Sequence, residues 1–280
     1  MEENKVIRDF GDEWERFNFL DEEELRSLQE QFQKYIKPLP QGLLEQNKLT
    51  IADFGAGTGR WSFFLKQFAS QLYVVEPSEK AFNVASSRFT DEEGVTLLNQ
   101  SVESNQIPPN SLDLAVSLGV LHHIRDTGAA IKQVGEKIKP GGYFLGYLYY
   151  SMENKSNLYR LIWKISNSAR LLISNLPKPI KVSLSEIIAL LVYWPLARLS
   201  RVLTTLKISS KGVPLHHYEN LSFHVMRNDA LDRFGTSLEN RFSRAQINEM
   251  LKRAGFEESS IRFSDDEPFW TFSAQKSFAN

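Results

Sequence analysis

Thirteen residues, LTIADFGAGTGRW from Leu49 to Trp61, narrow the choice of fold more than any other stretch. Leu49 to Phe54 is an apolar run of strand length, Gly55-Ala56-Gly57-Thr58-Gly59 is a glycine-rich turn, and a helical pattern starts near Arg60. A strand that feeds glycines into a helix start brings bare main chain close to a ligand. Glycine has no Cβ to block the approach and tolerates the positive φ of a tight turn. The first N–H groups of the following helix have no partner inside it. Asp53 stands two residues before the first glycine, where its carboxylate can order the turn or accept a bond from a cationic group.

The next element sharpens the reading. Residues 72–75, LYVV, form a second buried strand that ends in Glu76, 21 residues beyond Gly55. That lies near the ~20-residue spacing at which an acid meets the ribose hydroxyls of a bound nucleotide. The dinucleotide fingerprint G-x-G-x-x-G fails, because its third glycine falls on Arg60. The glycines are spaced G-x-G-x-G. A nucleotide-dependent oxidoreductase therefore stands as the weaker alternative.

Asp-x-Gly-x-Gly-x-Gly with a distal acid resembles the class I S-adenosylmethionine (SAM)-dependent methyltransferases. The resemblance continues through VSLGVLHHIRD (Val116 to Asp126) and KPGG (Lys139 to Gly142). FGDEW (Phe10 to Trp14), WPLARL (Trp194 to Leu199) and DALDRFGT (Asp229 to Thr236) further resemble a bacterial subgroup of these enzymes. The resemblance implies a Rossmann-like, seven-stranded, mostly parallel α/β sheet with an antiparallel last strand. It implies SAM as cofactor, with Gly55, Ala56, Gly57 and Gly59 beside its methionyl part, Asp53 ordering that turn, and Glu76 followed by Pro77 at the ribose. Ser101, Val102 and Leu118 would flank the adenine. The family often has an acid at the place of Ser101, and a neutral hydroxyl makes the weaker contact.

Four segments are expected: a helical lid over 1–40, the SAM-binding core over 41–150, a helical cap insertion over 151–230, and completion of the sheet over 231–280. Asp21 can cap a helix running to about Lys37, with Leu25, Leu28, Phe32, Tyr35 and Ile36 on one face. That helix either closes over the cofactor or packs on the edge of the sheet. Strands are expected at Val95 to Leu98, Leu112 to Leu118 and Tyr143 to Tyr150, and helices after Pro77-Ser78, Asp126 and Ser243.

The insertion is basic and apolar. Between Lys155 and Lys211 there are ten Lys and Arg and one acid, Glu186, although the whole chain has a net charge of −1. Leu158, Leu161, Ile162, Ile165, Leu172 and Leu176 recur at helical spacing until Pro177 and Pro179. Ser183-Leu184-Ser185-Glu186 reads as a capping box that opens a second helix to about Leu206. Its uncharged stretch, Ile187 to Ala197, has 11 residues, short of the ~20 that a spanning helix needs. A basic, apolar, Trp-containing helical pair suits the surface of an anionic membrane. The same pair can be a cap whose charges face water. It lacks the motifs of nucleic-acid binding.

His122 and His123 follow the fourth strand, at the carboxyl end where open α/β sheets bind ligands, and either is a candidate general base. Tyr150 and the loop residues His216, His217 and Tyr218 are candidates for the substrate. His216, His217 and His224 lack the carboxylates of a metal site, so no metal is expected. Without cysteine the chain has no thiolate chemistry and no disulfides, and MEENKVIRDF is too charged for a secretory signal. The reading is methyl transfer to an O or N nucleophile of a small molecule, extending to a sugar or lipid-linked glycan precursor, in the cytoplasm or peripheral at the inner membrane face. The contrasting class is a non-catalytic SAM-binding or membrane-surface interaction protein.

Overall fold

The computed structural model describes residues 22–46, 48–153, 156–210, 212–236, 238–264 and 269–278. Phe10 to Trp14 and the Asp21 cap lie outside the described residues, as do the basic residues Lys155 and Lys211. The chain divides into two compact units, Met1–Asn154 with Leu238–Asn280, and Lys155–Ser237.

The first unit is built on a seven-stranded sheet. After helix α1 (Glu22–Ile36) come β1 (Leu49–Phe54), α2 (Arg60–Leu65), β2 (Ala69–Val75), α3 (Glu79–Arg88) and β3 (Val95–Leu98). Then follow β4 (Leu112–Leu118), α4 (Thr127–Lys137) and β5 (Ile138–Tyr149). Spatially the order is β3-β2-β1-β4-β5-β7-β6, where β6 is Arg262–Phe263 and β7 is Phe269–Gln275. β3, β2, β1, β4 and β5 are parallel, and β7 runs antiparallel to both its neighbours, β5 and β6. The strand order reverses between β1 and β4, the switch point at which such sheets open a crevice at their carboxyl ends.

Buried runs of Ile51, Leu72, Val74, Leu114, Val116 and Leu145 explain why these strands are central: helices cover both faces, so neither face needs polar residues. β5 starts five residues earlier than the Tyr143 expected. Its pairing jumps from Leu112↔Ile138 to Leu114↔Tyr143, so Lys139 to Gly142 bulge out inside the strand. A Cβ on Gly142 would lie 2.9 Å from the Leu112 carbonyl oxygen, which explains glycine there. Asp126 caps α4 by accepting from Ala129 N. Ser243 and Gln246 form a capping box at helix α9 (Arg244–Arg253), which precedes β6.

α1 packs on α2. The ring of Phe32 stacks on Phe64 at 5.3 Å, and Tyr35 meets Trp61 edge-on at 5.2 Å and stacks on Tyr147 of β5 at 5.3 Å.

The second unit holds α5 (Asn157–Ile173), α6 (Lys178–Ile188), α7 (Trp194–Thr205) and α8 (Phe223–Gly235). The insertion, expected to close at residue 230, runs to Ser237 because α8 ends only at Gly235. The expected capping box at Ser183 is not a helix start. α6 begins at Lys178, with Pro177 as N-cap and Pro179 in the first turn. Proline is accepted there, since the first N–H groups are unpaired in any helix. Pro195 likewise does not break the run. A π-helical turn, Ala189–Tyr193, joins α6 to α7 and leaves Pro195 in the first turn of α7. The result is one helical rod, Lys178–Thr205, of 28 residues. It continues through Glu186 and Arg198, the charges that bound the 11-residue count, and is long and apolar enough to span a bilayer by length and composition.

Candidate functional site

The turn after β1 is wound tightly against β2. Gly55 N and Ala56 N both donate to the Val75 carbonyl, at 2.8 and 3.0 Å. Gly55, Gly57 and Gly59 have φ of +73°, +58° and +79°. At Gly55 the requirement is double, because an added Cβ would also sit 2.5 Å from both methyl carbons of Val120. Thr58, in the same turn, is buried.

Glu76 closes the turn from the end of β2. Its Oε2 accepts from Gly57 N and its Oε1 from Ser78 N, each at 2.8 Å. Asn99 Nδ2 donates to the Glu76 carbonyl at 2.8 Å and fixes the main chain beneath it. Each carboxylate oxygen keeps a second lone-pair direction for an incoming hydroxyl. Burial pushes the carboxyl up to about 7, against the pull of the two amides, and the nearby Asp53 carboxylate adds to the rise. The acid at the predicted spacing thus grips the glycine turn while keeping acceptor capacity.

Asp53 acts elsewhere. Its Oδ2 accepts from Ser62 Oγ at 2.6 Å, tying the end of β1 to the first turn of α2 rather than to the glycines. Burial raises its carboxyl to about 6, opposed by the Ser62 bonds and then the Arg60 charge. Pro77 follows Glu76 and leads into Ser78, which precedes α3. Beyond β3, Ser101 Oγ accepts from Ser104 N at 3.1 Å within its own loop, and Asn105 Nδ2 holds the Val102 carbonyl at 2.8 Å. Val102 and Leu118 are buried.

Past β4 the chain makes a short 3₁₀ turn, Leu121–His123. A strap from the end of the first unit holds it. Asn240 N donates to the His122 carbonyl at 2.8 Å, Asn240 Nδ2 to the Ile124 carbonyl at 2.9 Å, and His123 Nδ1 lies 2.7 Å from the Leu238 carbonyl. A carbonyl only accepts, so Nδ1 carries a proton, and the neutral form of the ring has its lone pair on Nε2. His122 stacks on Tyr149 at 3.9 Å between ring centres. Burial first, then the charges of His123 and Arg241, holds its pKa well below the ordinary histidine value, so it is a neutral imidazole. Arg241 lies over the Tyr149 ring at 4.9 Å and pairs with the buried Glu239 at 2.7 Å.

Tyr150, a predicted substrate contact, is buried with its ring edge-on to Trp270 at 5.5 Å. Strand alternation turns it away from the histidines and puts Tyr149 beside them. His216, His217 and Tyr218 belong to the second unit. There Tyr218 donates to Asp229 Oδ2 at 2.7 Å and packs on Tyr193, within that unit's own core. Glu239, Asn240 and Arg241 were missed by sequence reasoning, because a strap reaching back more than a hundred residues leaves no local periodicity. Among the described residues no group of three or more His, Cys, Asp or Glu is arranged to hold a metal ion.

Residues 52–146 match the family model described as a methyltransferase domain. A methyltransferase of Claviceps purpurea (strain 20.1) is 27% identical over 134 residues, 46% of this chain and 41% of that protein. The ubiquinone biosynthesis O-methyltransferase of Paramagnetospirillum magneticum is 31% identical over 100 residues, 35% of this chain and 39% of that one. The chain thus spans about two fifths of the length of these curated relatives. The crystal structure of magnesium protoporphyrin IX methyltransferase from Synechocystis PCC 6803, with bound S-adenosylhomocysteine, superposes with a TM-score of 0.55 at 15% identity. That match covers 98% of this chain and 100% of that one, and it is a likeness of fold.

Proposed function

Because residues 52–146 match a methyltransferase domain and carry the glycine turn and distal acid of the class I SAM-dependent enzymes, we propose that this chain moves a methyl group from SAM to an oxygen or nitrogen of a small molecule. The observation that carries the reading is the Glu76 carboxylate. Both its oxygens are fixed by main-chain amides of the glycine turn and of the α3 start, and each retains a lone pair. That donor and acceptor set fits an adenosyl group: the vicinal ribose hydroxyls donate to Glu76, and the methionyl part lies along the bare backbone of Gly55 to Gly59. Val102 and Leu118 offer apolar surface to the base, and Ser101 a hydroxyl.

When bound, SAM would supply a methyl on a positively charged sulfur, an electrophile that needs no further activation. The chain's contribution is alignment, which alone can account for a large share of the rate, and a place for the proton of the acceptor. In this reading Nε2 of His123 takes that proton, with the tautomer set by the Leu238 carbonyl. His122, neutral and stacked on Tyr149, positions the ring beside it. A sugar or lipid-linked glycan precursor is the acceptor class we favour, and the basic, apolar composition of the second unit supports it.

The test is direct. Purified protein is titrated with SAM and S-adenosylhomocysteine by calorimetry, then offered a panel of hydroxyl and amine acceptors while S-adenosylhomocysteine release is followed. Binding with acceptor-dependent release is expected. Absence of binding to either compound sinks the proposal, and binding without turnover on any acceptor leaves the non-catalytic alternative in its place.

A further inference from the structure

The second unit has a small apolar core around Tyr193, Tyr218, Met226 and Phe234, but much of its amphipathicity runs in the wrong sense for water. A helix of a soluble domain turns its apolar stripe inward and its polar residues outward. Over much of α5 and the rod Lys178–Thr205 the pattern is the reverse. Arg170, Lys181, Ser185 and Ser200 are buried, together with the small residues Ala189 and Ala197. Leu158, Ile165, Leu172, Leu191 and Leu206 are each more than 60% exposed. The buried cations are bonded to main chain: Arg170 Nη1 donates to the Thr236 carbonyl at 2.8 Å, and Lys181 Nζ to the Gly235 carbonyl at 3.1 Å. Small residues at helix contacts, ionisable groups turned inward onto backbone carbonyls and large aliphatics turned outward are what helices do when their surroundings are hydrocarbon.

We propose that the second unit docks into one leaflet of an anionic lipid bilayer, with the middle of the rod embedded and its basic ends at the headgroups. Charge complementarity chooses the lipid. Lys164, Lys178, Arg201 and Lys207 are exposed around the apolar surface, and between Lys155 and Lys211 basic residues outnumber acids ten to one. Each such cation near an anionic surface contributes on the order of 1 kcal/mol to binding. Shape chooses a fluid occupant over a second copy of the chain. Leu190, Leu191 and Val192 follow one another in the π-helical turn and, with Trp194, are all at least 44% exposed, so they cannot share one side of the rod. That surface wraps most of the rod, and a single protein face would cover only part of it. Charge sets the depth. The rod as a whole is long enough to span, but Lys178 stands at one end and Arg201 near the other, both exposed. With both at the headgroups of one leaflet the rod lies in the membrane plane, its uncharged core Ile187 to Ala197 sunk into the hydrocarbon.

The experiment uses the full chain and extruded vesicles of phosphatidylcholine with or without phosphatidylglycerol. Flotation with the phosphatidylglycerol vesicles is expected, weakened by salt. Tryptophan emission should be quenched by acyl-chain-brominated lipid, with the quenching reduced in Trp194→Phe. Leu191→Asp, a change at an exposed site, should keep the melting curve and lower vesicle affinity by at least about tenfold. Should that variant melt early, Val202→Asp and Lys164→Gln with Arg201→Gln repeat the measurement at other exposed sites. Wild-type chain that stays with the dense fraction overturns the inference, as does flotation that all three changes leave untouched. So does a dimer in vesicle-free buffer that Leu191→Asp converts to monomer without any vesicle binding, since the second copy is then the occupant. SAM affinity and acceptor-dependent release of S-adenosylhomocysteine, measured on the same samples, report on methyl transfer separately, so either proposal can fail alone.

Discussion

Replacing Glu76 by Gln separates the two jobs of this carboxylate. In the fold it accepts the amides of Gly57 and Ser78, each at 2.8 Å. Glutamine keeps one acceptor oxygen and turns an NH₂ toward the other amide, losing a charge-assisted bond worth about 1.5–3 kcal/mol. Against this stands the burial of the charge. The carboxyl is raised from 4.5 to about 7, and at about 1.4 kcal/mol per unit the ionised form carries a penalty of roughly 3 kcal/mol that glutamine escapes. The rise to about 7 already includes the pull of the two amides, so near neutral pH the ligand-free variant should melt no earlier than the wild type. The ligand responds in the opposite sense. Losing charge-assisted acceptance from two ribose hydroxyls removes about 3 kcal/mol at the lower end, and the Kd for SAM should rise on the order of a hundredfold.

The pH dependence follows with a definite sign. A raised acid pKa means that stability is fully present below 4.5 and is lost as pH climbs to about 7. The ligand-free wild type should therefore lose stability relative to the variant over that window. Binding should move oppositely, because the hydroxyls need the ionised carboxylate. Wild-type affinity should fall about tenfold per pH unit below 7, while the Gln variant stays flat. Calorimetry at several pH values, with thermal melts on the same samples, checks each part. A SAM affinity that changes less than threefold in Glu76→Gln refutes the ribose assignment. An equal pH slope in both proteins refutes the ionisation argument.

Gly55→Ala meets a φ of +73° and two methyl carbons of Val120 at 2.5 Å. It should cost about 2–4 kcal/mol in thermal or denaturant melts, and Val120→Ala should restore the part due to the clash but not the part due to φ. Ser62→Ala removes the 2.6 Å bond to Asp53, whose carboxyl already stands at about 6. The loss, about 1.5–3 kcal/mol, should appear above pH 6 where Asp53 is ionised and shrink below it, and equal losses at pH 5 and pH 8 would contradict the assignment.

The sequence was informative wherever chemistry was local. β3 and β4 fall on the residues expected, Val95–Leu98 and Leu112–Leu118, because each is a short apolar run between turn signals. Glu76 was legible because strand, turn and spacing together leave one place for an acid. What escaped depended on distant chain or on context. The Asp53 partner, Ser62, stands nine residues on, across the glycine turn, at a spacing no motif prescribes. The start of α6 was misplaced because proline reads as a stop, although in a first turn it is a start. The strap at Leu238 to Arg241 touches the histidine turn from across the sequence, and nothing in its own composition announces that role.

The place where the main chain departs for its long helical excursion is also where it comes home. Tyr150 bridges Phe242 in parallel, Phe242 N donates to the Tyr149 carbonyl, and Ser151 N donates to the Phe242 carbonyl at 2.9 Å. Outgoing and returning segments are thus zipped side by side at one doorway. Closing that doorway with a short link adds little entropy, since loop closure depends only weakly on length. Both halves of that doorway belong to the sheet unit, so its pairing is made without any residue of the helices between them.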